Sequence, residues 1–286
     1  MLLASAESPV PENVLVTGLP RSGTTMTCWL LNSLRDVVAL HEPIKFADFP
    51  ETQSVCSIVE DFIQTTRKQL LHDGRAPSHA MQGRIESNPV SSESDPDQPR
   101  RVIHSHQLVA FGKPNHNHFQ LVIKHNAPFT ALLEPLSQQY PVAVVIRNPV
   151  ALLCSWQTVP LPIREGRLPM AERYDKALRE SLAGLSEPLH RQIAILDWCF
   201  NQYRSAHIHY KYEDLIRTGG RVLASLFPAA QGLNVELTSR NRNTLYPLHS
   251  CPSLARALLE RSQAWRLFYK EAEILALAEP EPQSPL

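Results

Sequence analysis

"VTGLPRSGTTMTCWLL", residues 16–31, decides how the rest of the chain is read. Apolar residues lead into Gly18; then Pro20, Arg21, Ser22, Gly23, Thr24 and Thr25 precede a helical pattern. A loop that joins a strand to a helix N-terminus gathers unpaired backbone N–H groups and the positive end of the helix dipole, and both favour a phosphate or a sulfonate. Gly18 and Gly23 permit a tight turn and a close backbone approach, while Thr24 and Thr25 add hydroxyl donors. The two glycines have the spacing of a Walker loop, G-x-x-x-x-G-K-[ST], yet Thr24 stands where that loop has lysine. The cation is Arg21, inside the loop.

Outward from this loop, apolar runs of strand type occur at 13–17, 119–124, 142–146 and 206–212, with a fainter one at 37–40. Helical patterns separate them at 23–34, 57–72, 128–138, 149–157, 188–203 and 253–278, the last a long amphipathic segment read as core cover. Continuous apolar strands alternating with helices predict an α/β fold in three layers, a mainly parallel central sheet with helices on both faces, of the P-loop NTPase type. In such sheets ligands sit beyond the carboxyl ends of the strands.

The strongest strand, "VAVVI" (142–146), ends in "RNP". Nucleoside triphosphatases hold magnesium with an aspartate after such a strand. Arg147 occupies that place, and Asp214, after "IHYKY", is the one weak substitute. Asn148 is a good N-cap and Pro149 a good first helical residue, so Arg147 falls beside a second helix N-terminus. Its planar fork suits phosphate. Two anion sites at neighbouring strand ends imply a ligand with separated anionic groups.

Bulk properties bound the rest. The 286 residues can build one large core, and 28 Lys+Arg against 28 Asp+Glu give a formal net charge of zero, which disfavours nucleic-acid binding through bulk charge. The 5 cysteines are scattered without a C-x-x-C pair and read as reduced thiols of a cytoplasmic protein. The first dozen residues lack a basic start and a sustained apolar run, and no stretch approaches the ~20 apolar residues of a transmembrane span. The expected organisation is a single domain over 13–277 between flexible tails at 1–12 and 278–286. A serine-, proline- and acid-rich segment at 83–100 reads as a mobile loop, either a lid or a plain insertion.

At this point three motifs resemble the sulfotransferases, enzymes that move a sulfuryl group from 3′-phosphoadenosine 5′-phosphosulfate (PAPS) to an acceptor. "GLPRSGTT" resembles their 5′-phosphosulfate loop, with Arg21 at its cationic position. "RNPVALLCS" resembles their 3′-phosphate motif, an arginine with a serine eight residues later, here Arg147 and Ser155. "YKYED" resembles a recurring segment whose tyrosine, here Tyr212, approaches the adenine. Order and spacing agree from Val14 to about Leu226. The resemblance implies a PAPS site made of Pro20, Arg21, Ser22, Gly23, Thr24, Thr25, Arg147, Ser155 and Tyr212, adenosine 3′,5′-bisphosphate (PAP) as product, and no metal. Departures are Met26, where many members carry a stacking tryptophan, and the lack of a "GDWK"-type segment, for which Arg240 or Arg242 could substitute. The chain looks closer to the bacterial and carbohydrate-type branches than to the phenol and steroid enzymes.

Transfer to a hydroxyl needs a base and cations. Arg21 is a permanent cation that would neutralise the phosphosulfate. Glu42, in "VALHEPIKF", is favoured as base because carbohydrate-type and bacterial members carry a glutamate in this region. Its neighbour His41 titrates in the right range, but adjacent residues of an extended segment point to opposite faces, so only one should face the site. "LVIKHNAPF" adds Lys124, at a strand end where it could reach the sulfate or the acceptor, and His125 as a backup base. The H-x-H pairs His104/His106, His116/His118 and His207/His209 lack a third ligand at metal spacing and read as polar histidines. The acceptor, whether carbohydrate, lipid or small molecule, would be met by loops 44–56, 83–118 and 159–172, with Arg164 and Arg167 either contacting it or lying in solvent. A small-molecule kinase or other nucleoside-triphosphate enzyme is the alternative; oligomeric state has no signature.

Overall fold

Alternation inside the apolar runs becomes the two faces of a sheet. The computed structural model describes residues 10–51, 53–91, 100–112, 118–243, 245–246 and 251–278. Its strands are β1 (Asn13–Gly18), β2 (Val37–His41), β3 (Arg75–Ala80), β4 (Ser105–Ala110), β5 (Gln120–Lys124), β6 (Val142–Ile146) and β7 (Ile208–Lys211). Five form one sheet in the order β2-β5-β1-β6-β7, and each neighbouring pair is parallel. Leu15, Ile123 and Val144 enter one core while Val16, Val122 and Val145 enter the other. Helix Val55–Asp73 covers the first face with Ile58, Val59 and Ile63; helix Thr24–Asn32 covers the second with Cys28, Leu30 and Leu31. The expected three-layer α/β architecture is therefore present, and every expected strand forms.

The order places β1 between β5 and β6. The loop after β1 is thereby flanked by Lys124, the last residue of β5, and by Arg147, which follows β6. Register carries this to the atomic level: Val16 pairs with Lys124 and Gly18 with Val145.

Two expected helices are broken. The 128–138 pattern splits into Ala127–Ala131 and Leu133–Ser137, because Pro135 has no N–H for the carbonyl of Ala131. The 253–278 pattern splits into helix Cys251–Arg261, a single 3-10 turn Ala264–Leu267 and helix Glu271–Ala278. Asp197 causes this break: its Oδ1 accepts from Ser262 Oγ at 2.6 Å and from the Ala264 N–H at 3.1 Å, turning Trp265 into the core.

One element lies outside the sequence reading. β3 and β4 form an antiparallel ribbon in which Pro77 pairs with Leu108. It carries Ser78, His79 and His106 to the end of β2, where Ser78 Oγ accepts the His41 N–H at 2.9 Å. In the segment expected to be a mobile loop, 83–91 and Arg100 are described: the Ser91 N–H bonds Arg101 O and the Ile103 N–H bonds Pro89 O, each at 2.9 Å. Residues 92–99 of that loop, His116, and the tails 1–9 and 279–286 lie outside the described residues. Among the described residues no helix is long and apolar enough to cross a membrane, and the cysteines are free thiols.

Candidate active site

The loop after β1 is shaped by contacts that only small residues allow. A Cβ on Gly18 would stand 2.4 Å from Val145 O, and one on Gly23 would stand 2.8 Å from Tyr212 Cδ2. Gly23 (φ 103°) caps helix Thr24–Asn32 in the left-handed region, and Arg21 (φ 74°) adopts that region despite its side chain. Trp156 Nε1 donates to Pro20 O at 2.8 Å and fixes the start of the turn. Thr24 Oγ1 donates to Asn126 Oδ1 at 3.2 Å, and Thr25 Oγ1 lies 3.4 Å from His41 Nε2. Ser22 Oγ is buried without a hydrogen-bond partner.

Around this loop arginines gather. Arg147 is 3% exposed and donates from Nη1 to Arg21 O and from Nε to Asn241 Oδ1, both at 2.8 Å. Its Nη2 reaches Arg240 O and, at 3.3 Å, Tyr246 OH. Its guanidinium lies 4.5 Å from the Tyr212 ring centre, and Tyr212 OH accepts the Arg240 N–H at 2.9 Å. Arg21 donates to Ser155 Oγ at 3.3 Å and to Asn88 Oδ1 at 3.0 Å. Burial pushes Arg21 down to about 10, and Arg100, Arg147 and Arg240 push the same way. Arg100 itself is 4% exposed, with Nη2 buried and unpartnered. Among the described residues no carboxylate pairs with Arg21 or Arg147. Desolvated like charges without a counter-charge are costly on their own and are relieved by a bound polyanion. Asp214, the weak magnesium candidate, pairs instead with Arg217 at 2.8 Å.

A second charged group sits at the ends of β2 and β5. Lys124, 1% exposed, places Nζ 2.7 Å from Glu42 Oε1. Burial alone would raise the Glu42 carboxyl; Lys124, helped by His41 and His125, outweighs it and holds the group well below the usual carboxylate range. Glu42 has φ 46°, and its N–H extends the ladder to Lys124 O at 2.8 Å. This left-handed residue breaks the expected alternation, so His41 and Glu42 both line the same cavity rather than opposite faces. Burial pushes His41 well below its ordinary value and His104 down to about 4, and their Nδ1 atoms lie 3.3 Å apart. His125 is directed elsewhere: Nε2 accepts the Ile44 N–H at 3.0 Å, the ring meets Phe46 and Phe129 edge-on, and burial lowers it to about 3.

The resulting cavity, ≈ 430 Å³, is lined by Pro20, Arg21, Gly23, Thr24 and Thr25, with Glu42, Lys124, Arg147 and Tyr212 opposite. Ser22, Ser155 and His125 do not line it. Met26 and Arg240 line it, whereas Arg242 turns away to Ala276 O. Asn88, from the segment expected to be a mobile loop, also faces in. Arg100, His79 and His104 were missed by sequence reasoning: Arg100 ends a polar run that reads as solvated, and the histidines depend on the β3–β4 ribbon. His207 Nδ1 meets the Val142 N–H and His209 Nε2 meets Tyr203 O. Among the described residues no three His, Cys, Asp or Glu side chains gather as a metal ion would require.

No protein-family model matches this chain, and no curated protein matches it. Among solved structures it is similar to sulfotransferase STF1 from Mycobacterium tuberculosis H37Rv, with a TM-score of 0.35 and 16% identity over 88% of this chain and 77% of that one. It is similar to the sulfotransferase domain of the Synechococcus PCC 7002 olefin synthase, with a TM-score of 0.39 and 12% identity over 100% and 94%. It is also similar to sulfotransferase STF9 from Mycobacterium avium, with a TM-score of 0.34 and 13% identity over 90% and 70%. The likeness is one of fold.

Proposed function

We propose that this chain is a PAPS-dependent sulfotransferase acting on an acceptor hydroxyl. The observation that carries the reading is the convergence of Arg21 and Arg147 on one cavity without a carboxylate partner, each at a strand end beside a helix N-terminus. A donor bearing a phosphosulfate and a separate 3′-phosphate supplies two anionic groups to match. Ser22 Oγ belongs to the same loop and is buried without a partner, although it does not line the cavity. In this assignment Pro20, Arg21, Ser22, Gly23, Thr24 and Thr25 hold the phosphosulfate, Arg147 with Ser155 the 3′-phosphate, and Tyr212 the adenine.

Glu42 serves as general base. Ionised by Lys124, it takes the proton as the acceptor oxygen forms its bond to sulfur and the bond from sulfur to the phosphate oxygen breaks, with PAP leaving. Lys124 and Arg21 stabilise the charge that moves from acceptor to leaving oxygen. His125 holds the chain at Ile44 rather than exchanging a proton.

Calorimetric titration with PAP, and separately with ATP and magnesium, tests the reading. Metal-independent PAP binding that is lost in Arg147→Ala is the expected result. Binding of ATP–magnesium without a response to PAP would overturn it in favour of a nucleoside-triphosphate enzyme.

A further inference from the structure

A second cavity, ≈ 480 Å³, adjoins the first. The two share Pro20, Glu42, His79, Asn126 and Leu161, so Glu42 stands in the wall common to both. Its volume is that of a site for a small organic molecule. Beyond the shared wall the lining is mostly apolar: Ile44, Phe46, Ile163 and Leu168 are buried, and Met170 is half-buried.

The polar groups there are already engaged or belong to exposed side chains. Arg167 Nε donates to Glu172 Oε1 and Oε2 at 3.1 and 2.9 Å, and the remaining approach to Glu172 is closed by the Leu168 N–H at 2.7 Å. His125 spends Nε2 on the Ile44 N–H. Lys45 and Asp48 are exposed. A sugar placed here would bury hydroxyls without partners, whereas an aliphatic or aromatic body would meet matching walls. At the shared wall His79 is held by a bond between Nδ1 and the Glu42 backbone carbonyl at 2.9 Å, so the polar groups common to both cavities are those of Glu42, His79 and Asn126.

We infer that this cavity binds the acceptor, and that the acceptor is an alcohol or phenol with an apolar body rather than a carbohydrate. Its hydroxyl lies at Glu42 and its carbon skeleton runs between Phe46, Ile163 and Met170. The inference rests on the transferase reading for the reaction, but the cavity's chemistry stands independently of it. It also runs against the carbohydrate-type resemblance of the motifs, which concern the donor half of the site.

Initial rates with PAPS and primary alkanols from butanol to decanol, beside glucose and N-acetylglucosamine, test it. Each added methylene should lower KM about fourfold until the cavity fills, and the sugars should be inert. Met170→Arg, which plugs the rim, should raise the decanol KM at least tenfold while PAP binding, read by calorimetry, is unchanged. Met170→Ala, a milder change, should leave the chain-length trend in place. Turnover of sugars in preference to alkanols, a KM indifferent to chain length, or no effect of Met170→Arg would overturn the inference and leave the transferase reading intact. Failure to bind PAP would overturn that reading alone. Decanol binding, measured directly by calorimetry and lost in Met170→Arg, would then still decide the cavity: retention or absence in both proteins overturns the inference.

Discussion

Removing either member of the Lys124–Glu42 pair should have unequal consequences. Nζ and Oε1 are 2.7 Å apart, but Lys124 is 1% exposed while the Glu42 side chain is 35% exposed. Glu42→Gln strands an ammonium that water cannot reach; breaking a buried pair in this way costs about 3–5 kcal/mol. Lys124→Met strands a carboxylate that can rehydrate, so its cost should be no more than about 1 kcal/mol, the range of partly exposed pairs. For a chain of this size 1 kcal/mol moves Tm by about 2–4 °C. Thermal unfolding at pH 7 should therefore show a fall of roughly 6–20 °C for Glu42→Gln and a few degrees for Lys124→Met. The double variant should recover most of the larger loss.

Acidity separates the same variants. Because Lys124 holds the folded Glu42 below its unfolded value, the pair contributes stability above about pH 4.3, and that contribution fades as pH falls toward the folded value. The gap between wild type and Lys124→Met should accordingly be full at pH 6 and narrow below pH 4. On the proposed function, activity should be absent in all three variants, the double one included, since a recovered fold restores neither the proposed base nor its cation. Equal costs for the two single variants, or a double variant worse than either, would refute the reasoning, because the burial asymmetry would then play no part.

Two further outcomes follow from the geometry. His125→Phe deprives the buried Ile44 N–H of its acceptor and should cost about 1–3 kcal/mol; because burial holds the folded imidazole near 3, below its unfolded value, wild type loses stability as pH falls from about 6.5 toward 3, and the variant, compared by urea unfolding, should lose less over that window. Gly23→Ala must accept a left-handed φ of 103° with its Cβ 2.8 Å from Tyr212, so PAP affinity, read by calorimetry, should fall more than tenfold while the unfolding midpoint moves by only a few degrees.

Four strands of the sheet, β1, β2, β5 and β6, were legible because they are buried on both faces, which writes them as apolar runs such as "VAVVI". The β3–β4 ribbon was not, because "RAPSHA" is short, polar and holds a proline, and its pairing is settled by contact with β2 rather than by its own pattern. The strand–turn–helix at 13–32 was legible for a similar reason as the sheet: glycines packed into one turn between an apolar run and a helical pattern are local information. Glu42 and Lys124 could be nominated one by one, but their pairing required β2 and β5 to be neighbours, which spacing does not state. The alternation rule then failed at His41 and Glu42 because a non-glycine residue in the left-handed region is a tertiary outcome, invisible to pattern. The broken C-terminal helix failed likewise: its periodicity is genuine, but Asp197 offers a better partner to Ser262 and Ala264 than the next helical turn does.

Of the four described non-glycine residues with positive φ, Arg21, Asp36, Glu42 and Gln82, two, Arg21 and Glu42, are those that the proposed chemistry loads most heavily. Such a conformation costs about 1–2 kcal/mol for a residue with a side chain and persists only where its surroundings impose it. Here the imposing groups can be named. Arg147 grips Arg21 O at 2.8 Å, and Lys124 O takes the Glu42 N–H at 2.8 Å while its Nζ takes the carboxylate. Each strained residue is thus held by the neighbouring strand's terminal cation, the very group that would share its ligand. That coupling ties the proposed chemistry to the sheet order. With β1 set between β5 and β6, the loop after β1, the proposed base Glu42 and both clamping cations meet at one cavity, so the charge arrangement is already assembled for the donor that we propose.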